Sequence, residues 1–137
     1  MSNFSPMPSY LIGIFCIAIG SHVLLKPSDE SERFGIPLPS PDASSPKSGS
    51  SRLGTASPFI YVRGIREVTW GLNFLLLQHY NQELAITILL GVVSLASLGD
   101  GWVVWTHGDE RLKKKAFAHS AVGIGCAMWF LWRTFSA

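Results

Sequence analysis

Charge is scarce in this chain: Asp, Glu, Lys and Arg make up 15% of its 137 residues, against about 25% in soluble domains. That deficit points to lipid as the surrounding medium. A net charge of +2, with no basic stripe interleaved with aromatics, excludes nucleic acid as a partner. Only two cysteines are present, Cys16 and Cys126, each inside an apolar run where a free thiol behaves as a small hydrophobe. No disulfide framework is expected. The chain also has no Gly-rich phosphate loop, no haem signature and no Gly-x-Ser-x-Gly elbow, so no cofactor is expected. No Lys or Arg precedes Lys26, and no small-residue cleavage pattern follows the first apolar run. Both absences argue against a cleaved signal peptide and for a retained helix.

What is present is apolar: hydrophobic residues form 47% of the chain, and five Trp suit the headgroup layer at either end of a span. Four apolar segments, about 8–25, 58–79, 82–106 and 115–134, each have roughly the 20 residues needed to cross a bilayer. Pro27 ends the first, having no N–H to continue the helix. Tyr80-Asn81 between the second and third is too short for anything but an antiparallel hairpin. Glycines at 64, 71, 91, 99, 101, 123 and 125 let membrane helices approach closely. The expected fold is all-α, an integral membrane four-helix bundle spanning residues 1–137. Its one long loop, 28–57, is rich in Ser, Pro, Gly and charge, a composition that leaves its middle disordered. The apolar island at 34–38 is expected to tuck against the bundle.

Lys and Arg set the orientation. The loops 26–57 and 107–115 carry Lys26, Arg33, Lys47, Arg52, Arg111, Lys113, Lys114 and Lys115, whereas the other side has Arg133 alone. The positive-inside rule therefore puts both loops in the cytosol and both termini in the lumen. With no organellar presequence, the endoplasmic reticulum is the expected membrane.

This threading brings distant polar residues to one layer. Arg63, Arg66 and Glu67 lie about 7 to 14 Å into the second span at about 1.5 Å per residue. Asp100 lies about 9 Å below the cytosolic end of the third span, with His107 at its surface, and His119 lies about one turn into the fourth. Arg63, Arg66, Glu67, Trp70 and Asn73 form one helical stripe, and Asp100 and His107 share a face. No comparable cluster is read in the luminal half.

The residues Pro27, Phe34-Gly35-Ile36-Pro37, Gly64-Ile65-Arg66-Glu67 with Gly71, Leu98-Gly99-Asp100, His107-Gly108 and His119 carry a resemblance. The chain resembles the small four-helix membrane proteins grouped as domain of unknown function 4267, found in fungi and bacteria. The likeness covers nearly everything outside 40–57, although relatives more often carry Arg-Asp where this chain has Arg66-Glu67. It supports the bundle and the polar set and supplies no catalytic role. Fungal relatives occur beside natural-product genes, which implies cyclisation, isomerisation or oxidation of lipophilic intermediates.

Two readings of the polar layer stay open. Arg63 or Arg66 with Glu67 and Asp100 forms either an ion-pair network that fixes helix register or an acid–base site. In the second, Glu67, Asp100 and His119 handle protons and an Arg holds a developing oxyanion. The expected catalytic set is Arg66, Glu67, Asp100 and His119; the expected substrate-binding set is Arg63, Trp70, Asn73 and His107. No recognised metal-ligand spacing occurs, so no metal is expected. The expected function is cofactor-independent cyclisation or isomerisation of a lipophilic small molecule in secondary metabolism, beside other biosynthetic enzymes. The alternatives are a non-catalytic scaffold that presents substrates to soluble enzymes at the cytosolic face, and a carrier of protons or small solutes.

Overall fold

The computed structural model describes residues 4–27, 58–108, 110 and 113–136. The readings of 28–57, with the island at 34–38, and of Arg111 lie outside the described residues. Among the described residues, four helices follow one another: α1 (Met7–Leu25), α2 (Pro58–His79), α3 (Glu83–His107) and α4 (Lys114–Phe135). Each boundary falls within one residue of the expected one, because the change from apolar to polar composition is abrupt at every end.

The helices associate as two hairpins, α1 with α2 and α3 with α4, and the two hairpins touch chiefly along α2 and α3. Glycine explains the first pairing. Gly13 and Gly20 on α1 are seven residues apart, as are Gly64 and Gly71 on α2, a spacing that keeps one seam facing a partner helix. A Cβ on Gly13 would lie 3.0 Å from the Gly71 carbonyl oxygen, and one on Gly71 would lie 2.6 Å from that of Gly13. Gly20 meets Gly64 in the same way, at 2.7 Å. The two backbones are therefore in direct contact at two levels, without intervening side chains. In the second hairpin, Gly101 packs on Ala116 and Ser120, and the Ser94 hydroxyl donates to the Gly123 carbonyl at 2.9 Å.

The turn between α2 and α3 closes by two backbone bonds, Asn81 N–H to Gln78 O (3.1 Å) and Gln82 N–H to Leu77 O (2.8 Å). Asn81 has φ +54°, the left-handed conformation that Asn tolerates better than most residues. Above this turn Phe74, Ile86, Leu90 and Val93 form the core, with Trp70, Trp129 and Phe130 packed around it.

Polarity is distributed inside out. Ser9, Gln78, Thr87, Ser94 and Arg133 are buried, while Leu11, Ile14, Phe15, Leu76, Ile88, Leu95 and Met128 point outward. The stretches Met7–Leu25 and Glu83–His107 are long and apolar enough to cross a membrane. Only 28% and 33% of their most apolar portions are buried, unlike the enclosed core helix of a soluble protein.

Alanine at Gly20 or Gly71 would drive Cβ into opposing backbone that cannot rotate away. Each substitution is expected to destabilise the protein by about 1–3 kcal/mol. At Gly99 and Gly125 a Cβ would meet nothing within 4 Å, so alanine there is expected to be neutral or to gain up to about 1 kcal/mol of helix propensity. Thermal unfolding of the four single variants in detergent checks this contrast.

Candidate functional site

All four helices contribute to one cavity of about 260 Å³. From α1 come Phe15, Cys16 and Ile19; from α2 Arg63, Glu67 and Trp70; from α3 Val93, Ser97 and Asp100; from α4 Ala118, His119 and Val122. Residues as distant in sequence as Phe15 and Val122 meet here because the two hairpins stand side by side. Trp70 and Val93 belong both to this lining and to the apolar core and its shell. The core therefore closes the cavity toward the α2–α3 turn, and its polar residues gather toward the opposite end.

Charge in the layer is organised by Arg66. Its guanidinium forks onto Asp100, Nη2 to Oδ2 at 2.6 Å and Nη1 to Oδ1 at 3.3 Å, the bidentate geometry that makes Arg–carboxylate pairs strong. Glu67 Oε1 lies 3.7 Å from the same Nη2, and Trp70 lies under the guanidinium, 4.8 Å from ring centroid to Cζ. The side chains of Glu67 and Asp100 are 12% and 19% exposed. Arg66 thus engages one acidic group on its own helix and one across the α2–α3 interface, in a partly buried setting where a carboxylate needs a partner.

The structure brings Arg63, Glu67, Trp70, Asp100 and His119 to the lining, with Arg66 behind Asp100. It does not bring Asn73 or His107 there. Asn73 is exposed; it lies beyond Arg66 on the same side of the stripe, about 80° round the helix from the Arg63–Glu67–Trp70 face, and is too short to reach back as Arg66 does. His107 is exposed, with Nδ1 2.7 Å from the Thr106 hydroxyl. Trp102 and Trp105 line a separate apolar groove between α3 and α4 with Phe117. Cys16 and Ser97 are lining residues that sequence reasoning missed, since neither stands out from its apolar run. Among the described residues, no three His, Cys, Asp or Glu side chains come together as a metal-ligand set.

A second polar cluster corrects the expectation that the other half holds none. Arg133, counted in the sequence as the lone basic residue of that side, is 1% exposed. Its Nε donates to the Thr87 hydroxyl at 2.9 Å, and its Nη2 donates to the Glu83 carbonyl at 3.1 Å and to the Glu83 carboxylate at 2.5 Å. The Gln78 amide donates from Nε2 to the Glu83 carboxylate at 3.3 Å, and the Phe4 ring covers the guanidinium with its centroid 4.2 Å from Cζ. A signal was present: Glu83 begins α3 and Arg133 ends α4, antiparallel neighbours, so opposite charges meet at one level and each suits its helix dipole.

The sequence model of the family described as Domain of unknown function (DUF4267) matches residues 13–133, a stretch bounded by the first α1 glycine and the buried arginine. No curated protein and no solved structure matches the chain.

The two clusters respond differently to conservative change. Arg133→Lys keeps the charge but cannot replace both the Nε and Nη2 bonds, and is expected to lower stability by about 1–3 kcal/mol, as a buried polar group left unsatisfied does. For Arg66 and Asp100, a double-mutant cycle with Arg66→Gln and Asp100→Asn is expected to give a coupling energy of about 1.5–3 kcal/mol. Thermal or denaturant unfolding in detergent measures both.

Proposed function

The chain belongs to the DUF4267 family, and on that footing we propose that it is a four-span membrane enzyme performing acid–base chemistry on a lipophilic small molecule. The observation that carries this reading is the cavity itself: two carboxylates, an arginine and a histidine converge on about 260 Å³ of space inside an exterior of outward-facing Leu, Ile and Phe. Side chains of that kind facing water would be unfavourable, at about 25 cal/mol per Å² of apolar surface; facing lipid they are at no disadvantage. The Lys-rich segment before α4 and Lys26 after α1 mark the cytosolic side, so the polar layer belongs to the cytosolic half. The endoplasmic reticulum is the proposed membrane.

Within the site the roles divide by geometry. Both Asp100 oxygens are engaged by Arg66, so Asp100 serves as a fixed negative charge that orients Arg66 and stabilises positive charge developing nearby. Glu67 and His119 are the proton-transfer pair, a carboxylate and an imidazole on facing walls of one cavity. Arg63, on the same lining, holds a developing oxyanion. Proton removal at one position of a substrate and return at another is an isomerisation; proton delivery to an alkene or epoxide starts a cyclisation. Both need desolvation and positioning and no redox partner. A place in natural-product biosynthesis, beside enzymes that make and consume lipophilic intermediates, suits this chemistry.

Expression of Glu67→Gln, His119→Ala and Asp100→Asn in a host making the native pathway's intermediates tests the reading, with metabolite profile and membrane protein level measured together. Glu67→Gln and His119→Ala are expected to lower product by about 10²–10⁴-fold each, with the precursor accumulating and the protein still present in the membrane. Undiminished product from all three would overturn an acid–base role and favour a non-catalytic scaffold presenting substrates to soluble enzymes.

A further inference from the structure

The cavity is walled unevenly. Its charged residues and its most enclosed apolar one, Val93 at 5% exposure, come from the α2–α3 side. The α1 and α4 walls are more open: Phe15 is 63% exposed, Val122 is 56% exposed, and Ala118 is exposed as well. The hairpins touch chiefly along α2 and α3, so the seam between α1 and α4 is the loosely packed one. Two other directions are closed. Trp70 and Val93 seal the cavity against the core beneath it, and the Arg66–Asp100 fork ties α2 to α3 across the back.

We propose that the cavity is loaded sideways from the bilayer, through the α1–α4 seam, by a long single-chain lipophile carrying one oxygen-bearing head group. The inference rests on the membrane placement proposed above. The head reaches Arg63, Glu67, Asp100 and His119, and the tail leaves between Phe15 and Val122 and stays among the lipid chains. Three observations agree on this class of ligand. The cavity volume, about 260 Å³, lies just below the range of about 300–1,000 Å³ typical of sites that enclose a drug-sized ligand, so a long chain cannot fit wholly inside. The rim is apolar, with Phe15, Ile19, Ala118 and Val122, and offers no partner to a second polar group. Polarity also runs in the sense of the surrounding leaflet: charged groups lie toward the Lys113–Lys115 end and apolar ones toward the core, so a lipophile already oriented head-out in the bilayer enters without turning over.

The test uses the full chain in lipid nanodiscs and a series of prenyl alcohols of increasing length, dimethylallyl alcohol, geraniol, farnesol and geranylgeraniol, with occupancy read by native mass spectrometry. Occupancy is expected to rise with chain length and to hold between farnesol and geranylgeraniol, because additional units lie outside the cavity. A sharp loss beyond geraniol would mean an enclosed site and overturn the proposal. Val122→Trp, at an exposed position that tolerates bulk, is expected to narrow the portal and cut farnesol occupancy about tenfold. Leu95→Trp, outside the lining and 72% exposed, is expected to leave occupancy unchanged. Wild-type occupancy in Val122→Trp would also overturn the portal. The acid–base reading fails separately: Glu67→Gln and His119→Ala proteins that bind farnesol normally and still form product would remove that chemistry and leave the portal standing. Loss of product in those variants, with Val122→Trp indifferent in both binding and product, would do the reverse.

Discussion

Backbone contact between α1 and α2 is the constraint on which the remaining architecture depends. With Gly13 facing Gly71 and Gly20 facing Gly64, the two helices are drawn together without side chains between them. In the membrane setting proposed above, no hydrophobic force would drive apolar helices together, and van der Waals contact of this kind would take its place. The tight pair on one side and the Gly101–Ser120 and Ser94–Gly123 contacts on the other turn four helices into two stiff units. Unequal packing follows, with dense seams within the hairpins and a looser one between them. The cavity occupies that looser seam.

Electrostatics divide the bundle along its length. At one end Arg66 serves two carboxylates beside open space; at the other Arg133 is enclosed by Glu83, Thr87 and the Phe4 ring, with little room for a ligand. Similar residue types thus stand in different settings: the Arg133 cluster ties α3 to α4, whereas Glu67, His119 and Arg63 line a cavity wall. The core around Phe74 lies between the two.

The spans were legible because each begins or ends at a sharp change of composition, and the hairpin because two residues permit no other connection. The meeting of Arg63, Glu67, Asp100 and His119 was legible from rise per residue and threading alone. Other features were hidden for identifiable reasons. Helix α1 is apolar on every side, so nothing in its pattern marked the Gly13–Gly20 edge as the buried one. A stripe at helical spacing is wider than a cavity wall: Asn73 lies about 80° from the Arg63–Glu67–Trp70 face, and only a side chain as long as that of Arg66 spans such an offset. Arg133 stands two residues from its helix end, where a cation ordinarily faces the headgroups; its burial depends on Glu83, far earlier in the chain and at the start of another helix.

The heptad spacing of the glycines has a consequence for uniqueness. Because both helices repeat glycine at the same interval, sliding α1 along α2 by one period, about 10 Å, still aligns one glycine pair and yields a competing register with half the close contact. Packing alone therefore separates the two registers by a modest margin. In the proposed membrane the flanks of α1 would widen it, since displacement in one direction would draw Lys26 toward the hydrocarbon and in the other would lift apolar residues such as Leu24 and Leu25 out of it. The end of α1 also takes part, since Val23 and Leu24 lie against Gly64 and would lose that contact in the slipped alignment.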